Sequence, residues 1–293
     1  EKIYKRLKEF YFMQTLLNTP HEIIQQNILG AAAKAKTRIL NILVLGIMAG
    51  SFIAMGAQSS SLAVHNISNV GLARTLAGCI FPVGLMMIVF VGGELFTGDC
   101  MMSMAWMQRK IHFADMLRTL VLVYVSNFVG AALIAFLVAH SGQYDYSSGA
   151  LGAYTIKVAY GKVHLSFANA LVSGILCNIL VCVAVLMASA AKDIAGKVLA
   201  IFFPILAFVV SGFEHCVANM YYIPAGIFAS KNAVYAAKAL ELYNIDSTQL
   251  SSLNWGSFAI SNLIPVTIGN IIGGALFVGG ACFYLHGKAL HES

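Results

Sequence analysis

Charged residues are scarce in this sequence. Asp, Glu, Lys and Arg make up only 10% of its 293 residues, whereas hydrophobic residues make up 59%. Soluble domains carry about 25% charged residues, so a folded chain of this composition has too little polar surface to cover a soluble globule. The composition therefore predicts an all-α integral membrane protein, because helices satisfy their own backbone hydrogen bonds in lipid.

The sequence also lacks the common motifs of enzymes and metal sites. It has no G-x-x-x-x-G-K-[ST] phosphate loop, no H-E-x-x-H zinc motif and no carboxylate–histidine cluster with di-metal spacing. The six cysteines form no C-x-x-C pair and lie mostly inside apolar runs, as small buried side chains do. We therefore expect no catalytic residue, no metal and no other cofactor, and we do not expect an enzyme.

Six charge-poor stretches are each long enough to cross a membrane as a helix. They cover residues 39–60, 72–107, 119–140, 167–191, 198–228 and 258–285. The second and the fifth are long and contain glycine, proline and ionisable residues, whereas the other four are cleaner. The sequence therefore predicts six transmembrane helices, of which helices two and five are broken.

The predicted organisation has three parts. Residues 1–37 carry two amphipathic helices, one on each side of Pro20, that lie at the membrane surface or pack on a partner subunit. Residues 38–287 are predicted to form a six-helix transmembrane domain, and residues 288–293 a cytoplasmic tail. Membrane lipid is an expected partner, and nucleic acid is not.

Short matches between the two halves predict an internal duplication. Asn41-Ile-Leu-Val44 recurs as Asn178-Ile-Leu-Val181, Phe81-Pro82 as Phe203-Pro204, and Asn127-Phe-Val-Gly-Ala-Ala-Leu133 as Asn270-Ile-Ile-Gly-Gly-Ala-Leu276. Three spans per half is an odd number, so the halves are expected to have opposite orientations. The prediction is an inverted 3+3 repeat with its broken helices at equivalent places.

Lysine and arginine indicate the orientation in the membrane. If the chain begins in the cytoplasm, 13 of the 18 Lys and Arg residues lie on that side, as the positive-inside rule requires. The five on the outer side are Arg74, Lys157, Lys162, Lys231 and Lys238. Both termini are therefore predicted to be cytoplasmic, in an inner (plasma) membrane. Residues 142–165 and 237–256 then form outer connections, the first with room for a surface helix.

Two polar breaks in apolar helices carry the candidate site. Glu214 and His215 interrupt the fifth span, and Glu94 and Thr97 lie in the glycine-rich interruption of the second. Ionisable residues at membrane depth mark a transport pathway or a proton relay, and helix N-termini at the breaks attract anions. We expect Thr97 and His215 to face each other near the midplane. The alternatives are a satisfied core histidine and an interfacial loop.

The neighbouring polar residues have two possible roles. Asn178 and Asn219 either orient the imidazole or hold helices together. Glu94 and Glu214 would repel an anion from the pore, so we expect them to cap backbone donors at the breaks, away from the lumen. His215 itself either transfers a proton to the anion or stays neutral and donates a hydrogen bond.

Three motifs resemble those of the formate/nitrite transporter family. They are Gly93-Glu-Leu-Phe-Thr97, Gly174-Ile-Leu-Cys-Asn-Ile-Leu-Val181 and Phe213-Glu-His-Cys-Val-Ala-Asn-Met220, and the similarity runs over residues 34–287. The continuation Tyr221-Tyr-Ile-Pro-Ala-Gly226 is more similar to formate or hydrosulfide channels than to the nitrite branch. The resemblance implies an aquaporin-like fold, a homopentamer, and one pore per protomer for small monovalent anions such as formate, hydrosulfide or nitrite.

The resemblance also implies roles for particular residues. His215 corresponds to the central pore histidine, Thr97 to its partner, Asn178 to a polar neighbour, and Lys162 to a lysine of the outer vestibule that concentrates anions. Phe81, Leu85, Leu95, Phe96, Val181 and Phe208 correspond to the hydrophobic constrictions. Two other functions remain as alternatives: a neutral-solute channel of aquaporin type, and a membrane enzyme that uses Glu214 and His215 as an acid–base pair.

Overall fold

The structure is a computed structural model, and it describes residues 17–287. These residues form thirteen helices that we number in chain order. They are α1 (Pro20–Lys34), α2 (Ile39–Val64), α3 (Val70–Val91), α4 (Phe96–Asp99), α5 (Ser103–Met107), α6 (Phe113–Ala139), α7 (Ala150–Val163), α8 (Phe167–Ala190), α9 (Ile194–Ser211), α10 (Cys216–Ala229), α11 (Ala233–Tyr243), α12 (Ser247–Ser251) and α13 (Trp255–Gly287). Two 3₁₀ turns, Cys100–Met102 and Gln143–Asp145, complete the fold, and π-helical turns interrupt α13.

Six of these helices are long and apolar enough to cross a membrane. They are α2, α3, α6, α8, α9 and α13. Only 22–39% of the most apolar window of each helix is buried inside the protein, so most of that apolar surface faces outward. Surface of this kind is stable in lipid and costly in water. The prediction of an all-α membrane protein with six spanning helices is confirmed.

Two interruptions separate long helices from the shorter ones that follow them. Helix α3 ends at Val91, and Gly92 then has a φ of 101° before α4 begins at Phe96. Helix α9 ends at Ser211, and Gly212 then has a φ of 71° before α10 begins at Cys216. Glycine has no Cβ to oppose a positive φ, so it ends a helix sharply at both places. Helix α3 also has a turn at Phe81 and Pro82, between its segments Val70–Ile80 and Val83–Val91.

Helix α1 begins with a complete capping box. The side chain of Thr19 accepts a hydrogen bond from the backbone of Glu22, the Glu22 carboxylate accepts one from the backbone of Thr19, and Pro20 occupies the first turn. Pro20 therefore begins a helix. The amphipathic helix predicted before it falls mainly outside the described residues.

Helix α1 packs on the chain's own transmembrane helices. It contacts α8, α5 and the last turn of α13, and it buries Ile24, Ile28 and Ala31 there. The membrane surface and a partner subunit were the two predicted positions for this helix. Its apolar face is instead covered by the same chain.

Helix α7 lies in the connection after α6 and is a packed element, not a surface helix. Its residues Ala153, Ile156 and Ala159 are fully buried, and it lies against α10, where Gly226 directly contacts Ala159. Small residues on both helices let the two backbones approach closely. As a result α7 forms one wall of the cavity described next.

Candidate functional site

A cavity of about 410 Å³ opens beside α7 and reaches His215. Its walls come from α2, α3, α7, α9 and α10. They include the rings of Phe81 and Phe208, the charged residues Lys162 and Glu214, and two further cations, Arg74 and Lys157. The cavity thus combines an electropositive entrance with an apolar inner part. The predicted vestibule lysine, Lys162, is one of its lining residues.

His215 and Thr97 meet between the two interruptions. The Nε2 atom of His215 lies 3.0 Å from the Thr97 hydroxyl oxygen, and the side chains are 3% and 0% exposed. The two residues are 118 positions apart in the chain. The structure therefore brings these two predicted residues together, one from each interruption.

The backbone fixes the protonation pattern of the His215 ring in this arrangement. His215 is the N-cap of α10, and its Nδ1 accepts a hydrogen bond from the Ala218 N–H at 3.0 Å. A ring nitrogen that accepts an N–H bond carries no proton, so the neutral ring carries its proton on Nε2. The Nε2–H group then donates to Thr97. A doubly protonated ring would set an Nδ1–H against the Ala218 N–H.

Asn127, on α6, caps the first interruption. Its Oδ1 accepts a hydrogen bond from the Phe96 N–H at 3.0 Å, and its Nδ2 donates to the carbonyls of Gly46 and Glu94, both at 2.8 Å. The first N–H of a helix has no partner within that helix. A buried amide side chain from another helix supplies one here.

Asn270, on α13, caps the second interruption in the same way. Its Oδ1 accepts from the Cys216 N–H at 2.9 Å, and its Nδ2 donates to the carbonyls of Gly174 at 2.8 Å and Glu214 at 3.0 Å. The predicted match between the Asn127 and Asn270 segments thus corresponds to two equivalent sets of three hydrogen bonds. The opposite orientation of the halves stays a prediction.

One of the sequence matches between the halves is wrong. The hydrogen bonds of the two capping asparagines make Gly46 equivalent to Gly174. Asn41 precedes Gly46, whereas Asn178 follows Gly174. The shared letters Asn-Ile-Leu-Val therefore occupy different positions in the two halves, and a four-residue match in apolar helices arises easily by chance.

The expectation that Glu94 and Glu214 cap backbone donors is wrong. The Glu214 Oε1 forms an ion pair with Lys162 Nζ at 2.8 Å, and Glu94 forms an ion pair with Lys34 of α1. A buried carboxylate is costly unless an opposite charge and hydrogen bonds compensate it, and a lysine provides that charge. Neutral amides serve the backbone donors instead.

Lys34 pairs with Asp99 as well as with Glu94. Burial alone would lower the pKa of Lys34, but the two carboxylates raise it above its usual value. Lys34 therefore stays charged and ties α1 to the first interruption. Lys34 thus has two carboxylate partners beside the first interruption, whereas Lys162 has one, Glu214, at the second. No pattern in the sequence indicated that Lys34 belongs to the site.

The predicted polar residues Asn178 and Asn219 contact the site without touching the imidazole. The Nδ2 of Asn178 donates to the carbonyls of Thr97 at 3.1 Å and Asn270 at 2.6 Å. The Nδ2 of Asn219 lies 2.6 Å from Glu214 Oε2 and 2.7 Å from Asn262 Oδ1. Of the two predicted roles, they therefore perform the second, because they hold helices together. Thr97 and the Ala218 N–H orient the ring.

The six predicted constriction residues are all buried in one hydrophobic cluster. They are Phe81, Leu85, Leu95, Phe96, Val181 and Phe208. The rings of Phe81 and Phe208 meet edge to face, with centroids 5.4 Å apart, and the Phe208 ring lies 6.0 Å from that of His215. These two rings line the cavity just before His215. The aromatic pair therefore lies beside His215 in the wall of the cavity.

Known proteins resemble this chain over most of its length. A family model described as "Formate/nitrite transporter" matches residues 21–284. "Uncharacterized transporter YrhG" of Bacillus subtilis (strain 168) is 38% identical over 272 residues, which cover 92% of this chain and 94% of the relative. "Probable formate transporter" of Methanothermobacter thermautotrophicus is 38% identical over 272 residues, with 87% and 91% covered.

The fold also matches a solved structure. A protein described as "Pentameric formate channel with formate bound" superposes with a TM-score of 0.75 at 32% sequence identity. The match covers 85% of this chain and 98% of that one. Sequence and fold therefore agree on the same group of proteins.

Proposed function

Because this chain belongs to the formate/nitrite transporter family and is a membrane channel for small anions, we propose that it carries formate through a pore in each protomer. The main observation in support of this proposal is the contact between Thr97 and His215 at the inner end of the cavity. Two interruptions that meet there expose polar groups at membrane depth, where irregular backbone persists only if it is buried or lines a cavity.

The entrance of the cavity favours anions. Lys162, Arg74 and Lys157 line it, together with the single carboxylate of Glu214. Because Lys162 and Glu214 neutralise each other, the net positive charge comes from Arg74 and Lys157. A funnel of one charge sign raises the local concentration of the opposite ion. This charge supports an anion pathway over a neutral-solute channel of aquaporin type.

We propose that the aromatic pair and the other constriction residues select anions by size. Phe81 and Phe208 offer an arriving anion no hydrogen bonds to replace its hydration shell, so dehydration there is costly. The size limit itself is steric, because a small anion fits between the apolar side chains and a larger organic anion does not. Leu85, Leu95, Phe96 and Val181 extend the apolar path around Thr97.

At the centre, His215 acts as a neutral hydrogen-bond donor. Its Nδ1 is occupied by the Ala218 N–H, so the Nε2–H is the group that an anion can take over from Thr97. Transfer of a proton to the anion would first require a second proton on the ring, at the Nδ1 that already accepts the backbone bond. The geometry therefore favours donation over proton transfer. Asn178 and Asn219 support the same centre indirectly.

We further propose that the protein is a homopentamer in the plasma membrane. Both termini of each protomer then lie on the cytoplasmic side. The pentameric channel that this chain resembles supports the assembly, and the distribution of lysine and arginine supports the orientation. A mass measurement in mild detergent tests the assembly, and a monomer or tetramer would contradict it.

Flux into proteoliposomes tests the proposed function. The panel is formate, nitrite, hydrosulfide, lactate and glycerol, with protein-free liposomes as the control. We expect fast formate entry without any added cosubstrate, slow lactate entry and background glycerol entry. Glycerol entry without anion entry would instead indicate an aquaporin-type channel. A requirement for a cosubstrate would indicate an enzyme.

A further inference from the structure

Two hydroxyl groups that do not line the cavity form a hydrogen bond between α6 and α13. The Tyr124 and Thr267 hydroxyl oxygens lie 2.9 Å apart. Tyr124 stands three residues before Asn127, and Thr267 stands three residues before Asn270. Since these asparagines make equivalent hydrogen bonds in the two halves, Tyr124 and Thr267 are equivalent residues that bond directly to each other.

Each of these residues is linked to one interruption. The Tyr124 ring packs edge to face on the ring of Phe96, with centroids 4.8 Å apart, and Phe96 is the first residue of α4. Thr267 lies one helical turn before Asn270, which holds the first N–H of α10. The hydroxyl pair therefore joins the segment that carries Thr97 to the segment that carries His215.

In addition to the Asn178 amide, which donates to the carbonyls of Thr97 and Asn270, two hydrogen bonds thus link the interruptions, one directly and one through α6 and α13. Thr97 and His215 share the direct bond at the inner end of the cavity, and Tyr124 and Thr267, which do not line the cavity, share the other. If an anion accepts a hydrogen bond from the Nε2–H group of His215, the bond between His215 and Thr97 is lost while the anion passes. The second involves no pore group, so it persists. Both hydroxyls lie at half-buried positions of membrane helices, where an unpaired hydroxyl finds no water.

We propose that Tyr124 and Thr267 are positioning residues whose hydrogen bond fixes the spacing of the two interruptions, and with it the width of the constriction at Phe96, while an anion passes. This inference rests on the proposed anion channel. It predicts that loss of the bond changes size selectivity more than it changes stability, because Phe96 can then move with the Tyr124 ring.

The test compares Tyr124→Phe, Thr267→Val and the double variant in proteoliposomes with formate and lactate. Each single variant removes one hydroxyl and keeps the shape of the side chain. We expect the lactate-to-formate flux ratio to rise at least about threefold, the factor that corresponds to an average hydrogen bond between membrane helices. The double variant should match the single ones, because they remove the same bond. Thr267→Ser keeps the hydroxyl and should keep the wild-type ratio.

Thr119→Val is the matched control, because Thr119 lies on the same helix as Tyr124 but donates its hydroxyl within that helix, to the Asp115 carbonyl at 2.9 Å. An unchanged ratio in Tyr124→Phe and Thr267→Val, or effects that add in the double variant, would overturn the inference. If Thr267→Val does not fold, as judged by melting in detergent, Tyr124→Phe alone decides. Absence of formate flux in the wild type would instead refute the proposed function.

Discussion

His215 makes two hydrogen bonds that amide side chains can separate. In histidine, Nδ1 is two bonds from Cβ and Nε2 is three bonds from it. Asparagine has its amide oxygen two bonds from Cβ, so His215→Asn retains a cap for the Ala218 N–H and loses the donor to Thr97. Glutamine has its amide nitrogen three bonds from Cβ, so His215→Gln retains the donor and loses the cap.

The two variants should therefore fail in opposite ways. A hydrogen bond to a charged group contributes about 1.5–3 kcal/mol, and about 1.4 kcal/mol corresponds to a tenfold change in rate. We expect His215→Asn to carry formate roughly 10- to 100-fold more slowly than wild type while keeping its stability. We expect His215→Gln to keep most of the flux but to lose about 1 kcal/mol of stability with the N-cap.

Formate and nitrate uptake into proteoliposomes, together with melting in detergent, measures both effects. Nitrate is the anion of a strong acid, so it cannot be neutralised by a proton on the way through. If His215 acts by proton transfer, neither amide can replace it, and both variants lose formate flux but keep nitrate flux. A His215→Gln channel as slow for formate as His215→Asn, with normal nitrate entry, would refute the donor role.

Three further predictions follow from the same contacts. Phe81→Ala with Phe208→Ala should raise the lactate-to-formate flux ratio by widening the cavity before His215, and an unchanged ratio would contradict selection by size. Lys162→Gln should lower the free energy of unfolding by about 3 kcal/mol, because it leaves Glu214 buried without its charged partner. Adding Glu214→Gln to this variant should restore part of the melting temperature. If the double variant shows no recovery, the two residues are not coupled. Asn270→Ala should lower the free energy of unfolding by about 2 kcal/mol or more, because it removes three hydrogen bonds to the backbone. Melting in detergent measures this loss, and a wild-type melting curve would show that water replaces the three bonds.

Local patterns in the sequence were enough to predict most of the fold. A run of about twenty apolar residues is enough to identify a spanning helix, so the six membrane helices followed from composition along the chain. The interruptions followed from Gly92 and Gly212, since a helix ends where a residue must adopt a positive φ. The packing of α1 and α7 did not follow. Which neighbour covers an amphipathic face depends on the tertiary arrangement, and the helical spacing of Ile24 and Ile28 is the same for lipid, a partner or this chain.

The candidate site was predicted only in part, because local patterns reveal single residues but not their distant partners. His215 and Thr97 were identified because an ionisable or polar residue inside an apolar run is visible in the sequence alone. The partners of Glu214 and of the two capped backbones lie far away along the chain: Lys162 is separated from Glu214 by 52 positions, and Asn270 from Cys216 by 54. Asn127 and Asn270 did leave a signal, because their segments repeat, but only their contacts reveal that they are caps.

The choice of asparagine as the cap has an electrostatic consequence for anion passage. The N-terminus of a helix carries roughly half a positive charge, and an acidic cap would cancel it. The first N–H of α10 is instead satisfied by the neutral amide of Asn270, and the Ala218 N–H by the neutral ring of His215. The carboxylate that lies closest, that of Glu214, is paired with Lys162. These two backbone donors are therefore bonded without an acidic cap, so the positive end of α10 keeps its charge, and an anion at His215 is attracted to it. This arrangement allows a buried, well-ordered interruption and an anion pathway to occupy the same place.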